Sequence, residues 1–203
     1  MKIKGFYFIT DSSLSKAGNE SDVRSAVEAG VTIVQYRQKE ASTRYLIEEA
    51  TNFKKLCQGK ALFLINDRVD VALAVDADGV HLGQDDMPPE AARKLLGSSK
   101  IIGVTVHNQD EAKDAVAKGA DYLGVSPVFA TSTKKDAGLP AGISLLQRIK
   151  ATFSIPLVAI GGIQVQNAQY VVEAGADALC AISATVTKDN VKEEIQKFQK
   201  FFP

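Results

Sequence analysis

The sequence predicts a single (β/α)8 barrel (TIM barrel) of the α/β class, formed by one domain over residues 1–203. One phrase recurs four times: a helix end, a turn of small residues with Gly or Asp, and an apolar strand, starting at Glu28, Val75, Ala117 and Glu173. Polar residues follow each copy. A repeated helix-to-strand unit with chemistry just beyond its strand is typical of this barrel.

Eight short β-rich runs support the same fold, because most are near-continuous apolar segments, as in parallel strands covered by helices. These strands are predicted at residues 6–10, 32–36, 62–65, 79–82, 101–104, 122–125, 157–160 and 178–182. The competing fold, an open doubly wound sheet, usually has about five or six strands. Eight strands and the repeat favour a closed barrel.

Helical patterns lie between the strands, at residues 44–56, 90–96, 109–117, 145–152, 167–174 and 191–201. Start signals precede three helices: Ser21-Asp22 before the first, Pro88-Pro89 before the fourth and Asn108 before the fifth. Glycines fall where three helices stop, at the left-handed cap position: Gly30, Gly119 and Gly175. The alternation of strands and helices is therefore continuous along the chain.

Composition excludes several classes of partner. Lys plus Arg equals Asp plus Glu at 24 each, so no global field attracts nucleic acid or an anionic membrane. The apolar run at residues 5–10 is too short for a signal peptide core or a membrane span. Cys57 and Cys180 form no CxxC pair, which is consistent with a reducing compartment. We expect a cytoplasmic protein that binds small molecules; nothing in the sequence indicates its oligomeric state.

Cationic and amide side chains follow the second predicted strand. Gln35, Arg37 and Lys39 are alternate residues of an extended segment, so they face the same way. Two cations and an amide on one face suit a polyanionic ligand. The alternative is a solvated, charged strand end.

Acidic side chains follow the third and fourth strands. Asn66 and Asp67 end one strand, and Asp85 and Asp86 end the next, so Asp67 and one of the other two aspartates are expected to approach each other. Such a pair suits Mg²⁺, which takes one or two protein carboxylates and completes its shell with water and phosphate. The alternatives are that Asp67 pairs with Arg68 or caps a helix, and that the Asp85-Asp86 pair caps the helix starting at Pro88.

Hydroxyl groups and glycines follow the later strands. The long segment at residues 127–142 contains Thr131, Thr133 and Lys134, which suit a lid that closes over a phosphate, although a polar surface loop is the alternative. Gly161-Gly162 and Ser183 lie after the last two strands, where barrels often bind phosphate. Two separate anion sites indicate a transferase that joins two phosphorylated molecules.

These segments together resemble the thiamine phosphate synthase family over nearly the whole chain, from Tyr7 to Ala184. The matching motifs are QYRQK at 35–39, INDRVDVAL at 65–73, DGVHLGQDD at 78–86, TSTKKD at 131–136 and VAIGGI at 158–163. The resemblance implies a (β/α)8 barrel that joins 4-amino-2-methyl-5-hydroxymethylpyrimidine diphosphate to 4-methyl-5-hydroxyethylthiazole phosphate, giving thiamine phosphate and pyrophosphate. It also implies Mg²⁺ as cofactor.

The resemblance assigns roles to individual residues. The pyrimidine diphosphate would be held by Gln35, Arg37, Lys39, Asn66, Thr105 and Lys134, of which Arg37, Lys39 and Lys134 would be catalytic. Mg²⁺ would be held by Asp67 and Asp86. The thiazole phosphate would be held by Thr131, Thr133, Gly162, Ile182 and Ser183. This chain departs from the family pattern with Thr at 105 instead of Ser, Ser at 126 instead of Gly and Ala at 130 instead of Pro, and Asp85 is not carried over as a ligand.

Three rival functions remain distinguishable. A thiazole tautomerase on the same barrel would lack the full metal pair and the Thr-x-Thr-Lys segment. A non-catalytic phosphate-binding barrel would not need a metal-capable second site, and a phosphosugar isomerase would want a dedicated acid/base pair. Among single residues, His107 either faces the pyrimidine site or caps the helix at Asn108. His81 is expected to be a packed barrel residue, and Tyr7 either stacks on a substrate ring or fills the barrel floor.

Overall fold

The computed structural model describes residues 3–131, 133 and 138–202. Parallel strands close into a barrel in chain order, from β1 to β8, and β8 pairs with β1. The strands are β1 Gly5–Ile9, β2 Ile33–Tyr36, β3 Leu62–Asn66, β4 Gly79–Leu82, β5 Ile101–Val106, β6 Tyr122–Val125, β7 Leu157–Ile160 and β8 Ala178–Cys180. The predicted (β/α)8 barrel is thus confirmed.

Helices cover the outside of the barrel and alternate with the strands. They are α1 Asn19–Glu28, α2 Thr43–Cys57, α3 Val69–Ala74, α4 Pro89–Leu96, α5 Gln109–Ala117, α6 Gly142–Thr152, α7 Val165–Glu173, α8 Ser183–Val186 and α9 Val191–Gln199. Asn108 caps α5, as predicted, by accepting a hydrogen bond from the Glu111 N–H. Within the described part of the chain, no helix has the length and apolar character needed to cross a membrane.

The predicted start of the first helix at Ser21-Asp22 is wrong, because α1 begins at Asn19. The preceding loop ends at Gly18, whose φ of 85° is a conformation that favours glycine. The Ser15 hydroxyl accepts a hydrogen bond from the Gly18 N–H at 2.8 Å, which fixes this turn. Backbone geometry of the loop, rather than the polar pair, therefore decides where the helix begins.

The recurring phrase places an aspartate directly before three even-numbered strands. Each aspartate accepts a hydrogen bond from the backbone N–H of the preceding odd strand: Asp78 from Phe63, Asp121 from Ile102 and Asp177 from Leu157. Each also pairs with a cation from a covering helix: Lys54, Arg93 and Lys150, respectively. The repeat thus ties neighbouring strands together at the amino end of the barrel, where residues serve stability rather than chemistry.

Two glycines make room for aromatic side chains inside the barrel. A Cβ on Gly103 would lie 2.0 Å from Cζ of Tyr122, and one on Gly124 would lie 2.9 Å from Cε1 of His81. The rings of His81 and Tyr122 stack with their centroids 5.5 Å apart. His81 is therefore packed inside the barrel, as predicted, just below the carboxyl ends of the strands.

Candidate active site

Three adjoining cavities open at the carboxyl ends of the strands. The central cavity is lined by the strand interiors, including Tyr7, Gln35, Arg37, Asn66, His81, Thr105 and Tyr122. The acidic cavity is lined by Lys39, Asn66, Asp67, His81, Gly83, Gln84, Asp85, Asp86, Thr105 and His107. The glycine cavity is lined by Ser126, Thr131, Thr133, Ile160, Gly161, Gly162, Ile163, Cys180, Ala181, Ile182 and Ser183.

The cavities share walls, so ligands in them would be neighbours. Asn66, His81 and Thr105 line both the central and the acidic cavity. The central and glycine cavities share Ser126, Ile160, Cys180 and Ile182. Of the residues assigned to the site from the sequence, all those that the structure describes line one of the three. Lys134 lies outside the described residues.

Asp11, which was not predicted from the sequence as a site residue, holds Arg37 at the rim of the central cavity. Nη1 of Arg37 lies 3.2 Å from Oδ2 of Asp11, whose side chain is 5% exposed. The other Asp11 oxygen accepts hydrogen bonds from the backbone N–H and hydroxyl of Ser13. The backbone N–H of Arg37 also donates to the Thr10 hydroxyl at 2.9 Å. Asp11 directly follows the first predicted strand, at residues 6–10, and this position at a strand end could have identified it as a candidate site residue.

Among the described residues, the contacts of Asp67 and Asp86 differ from those that were the alternatives to a metal site. Oδ2 of Asp67 lies 3.8 Å from Nζ of Lys39, whereas Arg68 pairs with Asp70. Asp86 does not cap α4, whose capping residue is Pro88; its Oδ2 accepts a hydrogen bond from the Gly83 N–H at 2.7 Å.

Asp67 also adopts an unusual backbone conformation. Its φ of 63° lies in the left-handed region, which Asp tolerates better than most residues. Its N–H donates to the carbonyl of His81 at 2.8 Å, so β4 fixes this turn at the end of β3. Such strained positions cluster at functional sites, where the surrounding structure holds them.

The donor set of the acidic cavity fits Mg²⁺. Asp67 and Asp86, which supply hard carboxylate oxygens, line this cavity together with the amides of Asn66 and Gln84. Mg²⁺ commonly uses one or two carboxylates together with water and substrate phosphate. Among the residues that the structure describes, no group of three or more His, Cys, Asp or Glu side chains could hold a metal ion, so the fit rests on two carboxylates and an oxygen-rich ligand.

A continuous chain of hydrogen bonds crosses the barrel beneath the central cavity. It runs from Nε2 of Gln35 to the Tyr7 hydroxyl at 2.8 Å, and from there to the Tyr122 hydroxyl at 2.7 Å. The Tyr122 hydroxyl contacts Nδ1 of His81 at 2.8 Å, and Nε2 of His81 contacts the Thr105 hydroxyl at 2.8 Å. We call these five residues the polar chain. Tyr122 was not singled out from the sequence, since its partners lie far from it along the polypeptide.

The glycine cavity depends on close backbone approach. Gly161 and Gly162 have φ values of 98° and 64°. A Cβ on Gly161 would lie 2.5 Å from Cβ of Pro127, and one on Gly162 would lie 2.5 Å from the carbonyl oxygen of Ala130. The segment after β6 therefore rests directly on the two glycines, which brings Thr131 to the cavity that Ser183 also lines.

His107 caps no helix with its side chain. Its Nδ1 lies 2.9 Å from Oε2 of Glu111, and its backbone N–H donates to the same oxygen. The capping role belongs to Asn108. His107 also lines the acidic cavity, rather than the central one.

Comparisons with known proteins agree on one family. The model of a family described as thiamine monophosphate synthase matches residues 6–185. The chain is 58% identical over 193 residues to the thiamine-phosphate synthase of Methanosarcina mazei, covering 95% of this chain and 80% of the relative. It is 52% identical over 187 residues to that of Chloroflexus aurantiacus, covering 91% and 86%. A solved structure of thiamine phosphate pyrophosphorylase from Pyrococcus furiosus superposes with a TM-score of 0.89 at 42% identity, covering 97% of this chain and 94% of that one.

Proposed function

We propose a reaction and a set of residue roles for this chain, which belongs to the thiamine monophosphate synthase family and is a transferase of the thiamine-phosphate synthase type. The chain joins 4-amino-2-methyl-5-hydroxymethylpyrimidine diphosphate to 4-methyl-5-hydroxyethylthiazole phosphate and releases pyrophosphate. The observation that carries this proposal is the set of three adjoining cavities with different chemistry. An amide-lined pocket, a charged metal-capable pocket and a glycine-lined pocket suit a ring, its diphosphate and a second phosphate.

The acidic cavity and its rim would hold the diphosphate. Arg37 and Lys39 supply cationic donors, and Asn66 and Thr105 supply neutral ones at the wall shared with the central cavity. Asp67 and Asp86 would hold Mg²⁺, which when bound supplies positive charge that stabilises the departing pyrophosphate. Lys134, outside the described residues, is proposed as a further contact to the diphosphate.

The central and glycine cavities would hold the two rings side by side. Gln35 would bind the pyrimidine from the interior end of the central cavity. Thr131, Thr133, Gly162, Ile182 and Ser183 would bind the thiazole phosphate with hydroxyl and backbone N–H groups. With the two rings in adjoining cavities, the thiazole nitrogen would lie next to the pyrimidine methylene carbon.

The bond changes need no strong base. The bond between the methylene carbon and the diphosphate oxygen breaks, and its electron pair leaves with the pyrophosphate. The lone pair of the thiazole nitrogen then forms the new carbon–nitrogen bond to the pyrimidine-methyl cation, and no proton is lost. The protein has to stabilise the negative charge of the leaving group and hold the second ring in line. Arg37 and Lys39 would stabilise the charge, and the glycine cavity would hold the ring.

A coupled assay for pyrophosphate tests the reaction. With both substrates and Mg²⁺ we expect pyrophosphate and thiamine phosphate in equal amounts, and chelation of the metal should suppress both. Release of neither product, in a preparation shown to bind the thiazole phosphate, would refute the proposal. A product that lacks the pyrimidine would favour the tautomerase instead.

The Asp86 carboxylate tests the role of the acidic cavity. Asp86→Asn keeps an oxygen that can accept from the Gly83 N–H but removes the charge. We expect turnover to fall on the order of 10²-fold or more, as is typical when one transition-state charge contact is lost, with a higher Mg²⁺ requirement. Asp85→Asn is the matched control, because it changes the neighbouring acid, and equal losses in both variants would contradict the assignment.

A further inference from the structure

The polar chain has a direction, and proton accounting determines it. Nε2 of Gln35 carries only donors, so the Tyr7 oxygen accepts from it. Burial raises the pKa of both Tyr7 and Tyr122 well above the usual value, so each hydroxyl keeps its single proton. The Tyr7 hydroxyl also makes a hydrogen bond with the Tyr122 hydroxyl at 2.7 Å. With Nε2 of Gln35 as the donor, Tyr7 therefore donates to Tyr122, since the opposite direction would then bury an unsatisfied Tyr7 proton at a cost of about 1–3 kcal/mol.

The rest of the chain follows from this first step. The Tyr122 oxygen accepts from Tyr7, so its own proton goes to Nδ1 of His81. A neutral imidazole that accepts at Nδ1 carries its proton on Nε2. That proton is donated to the Thr105 hydroxyl oxygen. The hydroxyl proton of Thr105 then makes no hydrogen bond within the polar chain.

Both ends of the polar chain reach the predicted ligand sites. Oε1 of Gln35 accepts no hydrogen bond from the residues that the structure describes, and Gln35 lines the central cavity. Thr105 lines the wall between the central and acidic cavities. The polar chain therefore presents an acceptor, Oε1 of Gln35, at one end and a donor, the Thr105 hydroxyl, at the other. In the opposite direction, Oε1 of Gln35 would accept from Tyr7 and its NH₂ group would face the cavity. The Thr105 hydroxyl would then donate its proton to His81.

We propose that Tyr7, Tyr122 and His81 are positioning residues that select an amino-substituted ring by holding the Gln35 carbonyl toward the central cavity and the Thr105 hydroxyl as a donor. The identity of the ligand rests on the proposed function. An exocyclic amino group donates to Oε1 of Gln35, and a diphosphate oxygen accepts from Thr105. An analogue with an oxo group in place of the amino group would set two acceptors against each other. A site built to pair a polar group rejects such a mismatch strongly.

The donor-to-acceptor direction of the polar chain can be measured without substrate. The protein contains two histidines, and the second, His107, is exposed, so ¹⁵N-histidine labelling gives signals that His107→Gln assigns. We expect His81 to be protonated at Nε2 and unprotonated at Nδ1 in the resting protein. A proton on Nδ1 would overturn the proposal. This result is independent of whether the chain has the proposed activity.

Selectivity tests the consequence. We compare kcat/KM for the aminopyrimidine diphosphate with that for its 4-oxo analogue in the wild type and in Tyr122→Phe, which keeps the ring but removes the linking hydroxyl. The wild type should prefer the amino compound by at least about 10²-fold. In Tyr122→Phe this ratio should fall by about tenfold or more, through a higher KM for the amino compound.

Controls separate positioning from general damage. Tyr170→Phe changes an exposed tyrosine on α7 and should leave the ratio unchanged. Tyr7→Phe breaks the chain one link earlier and should lower the ratio as Tyr122→Phe does, so the test does not depend on one variant folding. A wild-type ratio in a folded Tyr122→Phe or Tyr7→Phe protein would overturn the proposal. Absence of turnover in the wild type would refute the proposed function instead.

Discussion

Two buried aspartates near the amino end of the chain illustrate how a single residue can serve function or merely cost stability. Asp11 is 5% exposed and pairs with Arg37, which offsets the loss of hydration. Asp22 is 0% exposed, and neither of its carboxylate oxygens has a hydrogen-bond partner in the described residues. Burial raises the pKa of Asp22, and the nearby Ser15 hydroxyl offsets part of the rise. The first aspartate therefore orients a site residue, whereas the second is a liability at neutral pH.

Asp22→Asn should stabilise the protein at neutral pH. A raised native pKa means that the stability contributed by the neutral carboxyl is complete below the unfolded value of about 4 and is lost as pH rises through the native pKa. Asparagine stays neutral, so the variant should melt higher at pH 7, by about 2–4 °C for each kcal/mol gained, and the difference should vanish near pH 4. Thermal melts at both pH values measure this, with the exposed Glu48→Gln as control. Equal melting at pH 7 would contradict it.

At the level of elements, the contact between the β7 end and the segment after β6 shapes the glycine cavity. Gly162 permits this contact because its φ is left-handed and its Cα faces the backbone of Phe129 and Ala130 at close range. The sequence pointed to Gly161-Gly162 as a phosphate site through backbone N–H groups. The structure adds that the same glycines seat the segment that carries Thr131.

Gly162→Ala should therefore raise the KM for the thiazole phosphate and leave that for the pyrimidine diphosphate nearly unchanged. The new methyl group displaces the Ala130 carbonyl, and misplacement of about 1 Å at a site costs up to about 10²-fold. Steady-state kinetics with each substrate varied in turn distinguishes the two effects. Gly119→Ala is the matched control, because it imposes the same backbone strain at φ 85° with nothing within 4 Å of the new Cβ. Parallel losses for both substrates would count against this reading.

For the whole molecule, the barrel separates stability from chemistry along its axis. The aspartates before β4, β6 and β8 join strands and helices at the amino end, whereas the three cavities lie at the carboxyl end. Neither end shares residues with the other, so stability at one end and catalysis at the other should respond independently to mutation.

Asp177→Ala should lower the free energy of unfolding by about 1–3 kcal/mol, because the Leu157 N–H loses its side-chain acceptor. Turnover below the melting transition should stay close to that of the wild type. Chemical denaturation and steady-state kinetics on the same preparation measure both quantities. Asp177→Asn keeps an acceptor oxygen but loses the ion pair with Lys150, so its smaller loss would separate the two contributions. A large drop in turnover with unchanged stability would refute the separation.

Much of the architecture could be predicted because it is encoded locally. Apolar runs, caps and the recurring phrase depend on neighbours within one βα unit, and the strand tips then define the site face. The bounds of all eight strands were right to within two residues; β5 extends to Val106 and so contains Thr105. The start of α1 was wrong, because the φ of Gly18 decides it.

The sequence by itself determined the barrel, the end at which the chemistry lies and the types of side chain at each strand tip, since these follow from periodicity and from short segments. Only the tertiary structure decided which of them meet. The pairing of Asp11 with Arg37, the seating of the β6 segment on Gly162 and the contact of Tyr7 with Tyr122 across 115 positions depend on how the strands register when the barrel closes. Closure turns alternate residues of every strand inward, and this brings distant hydroxyls within hydrogen-bond distance.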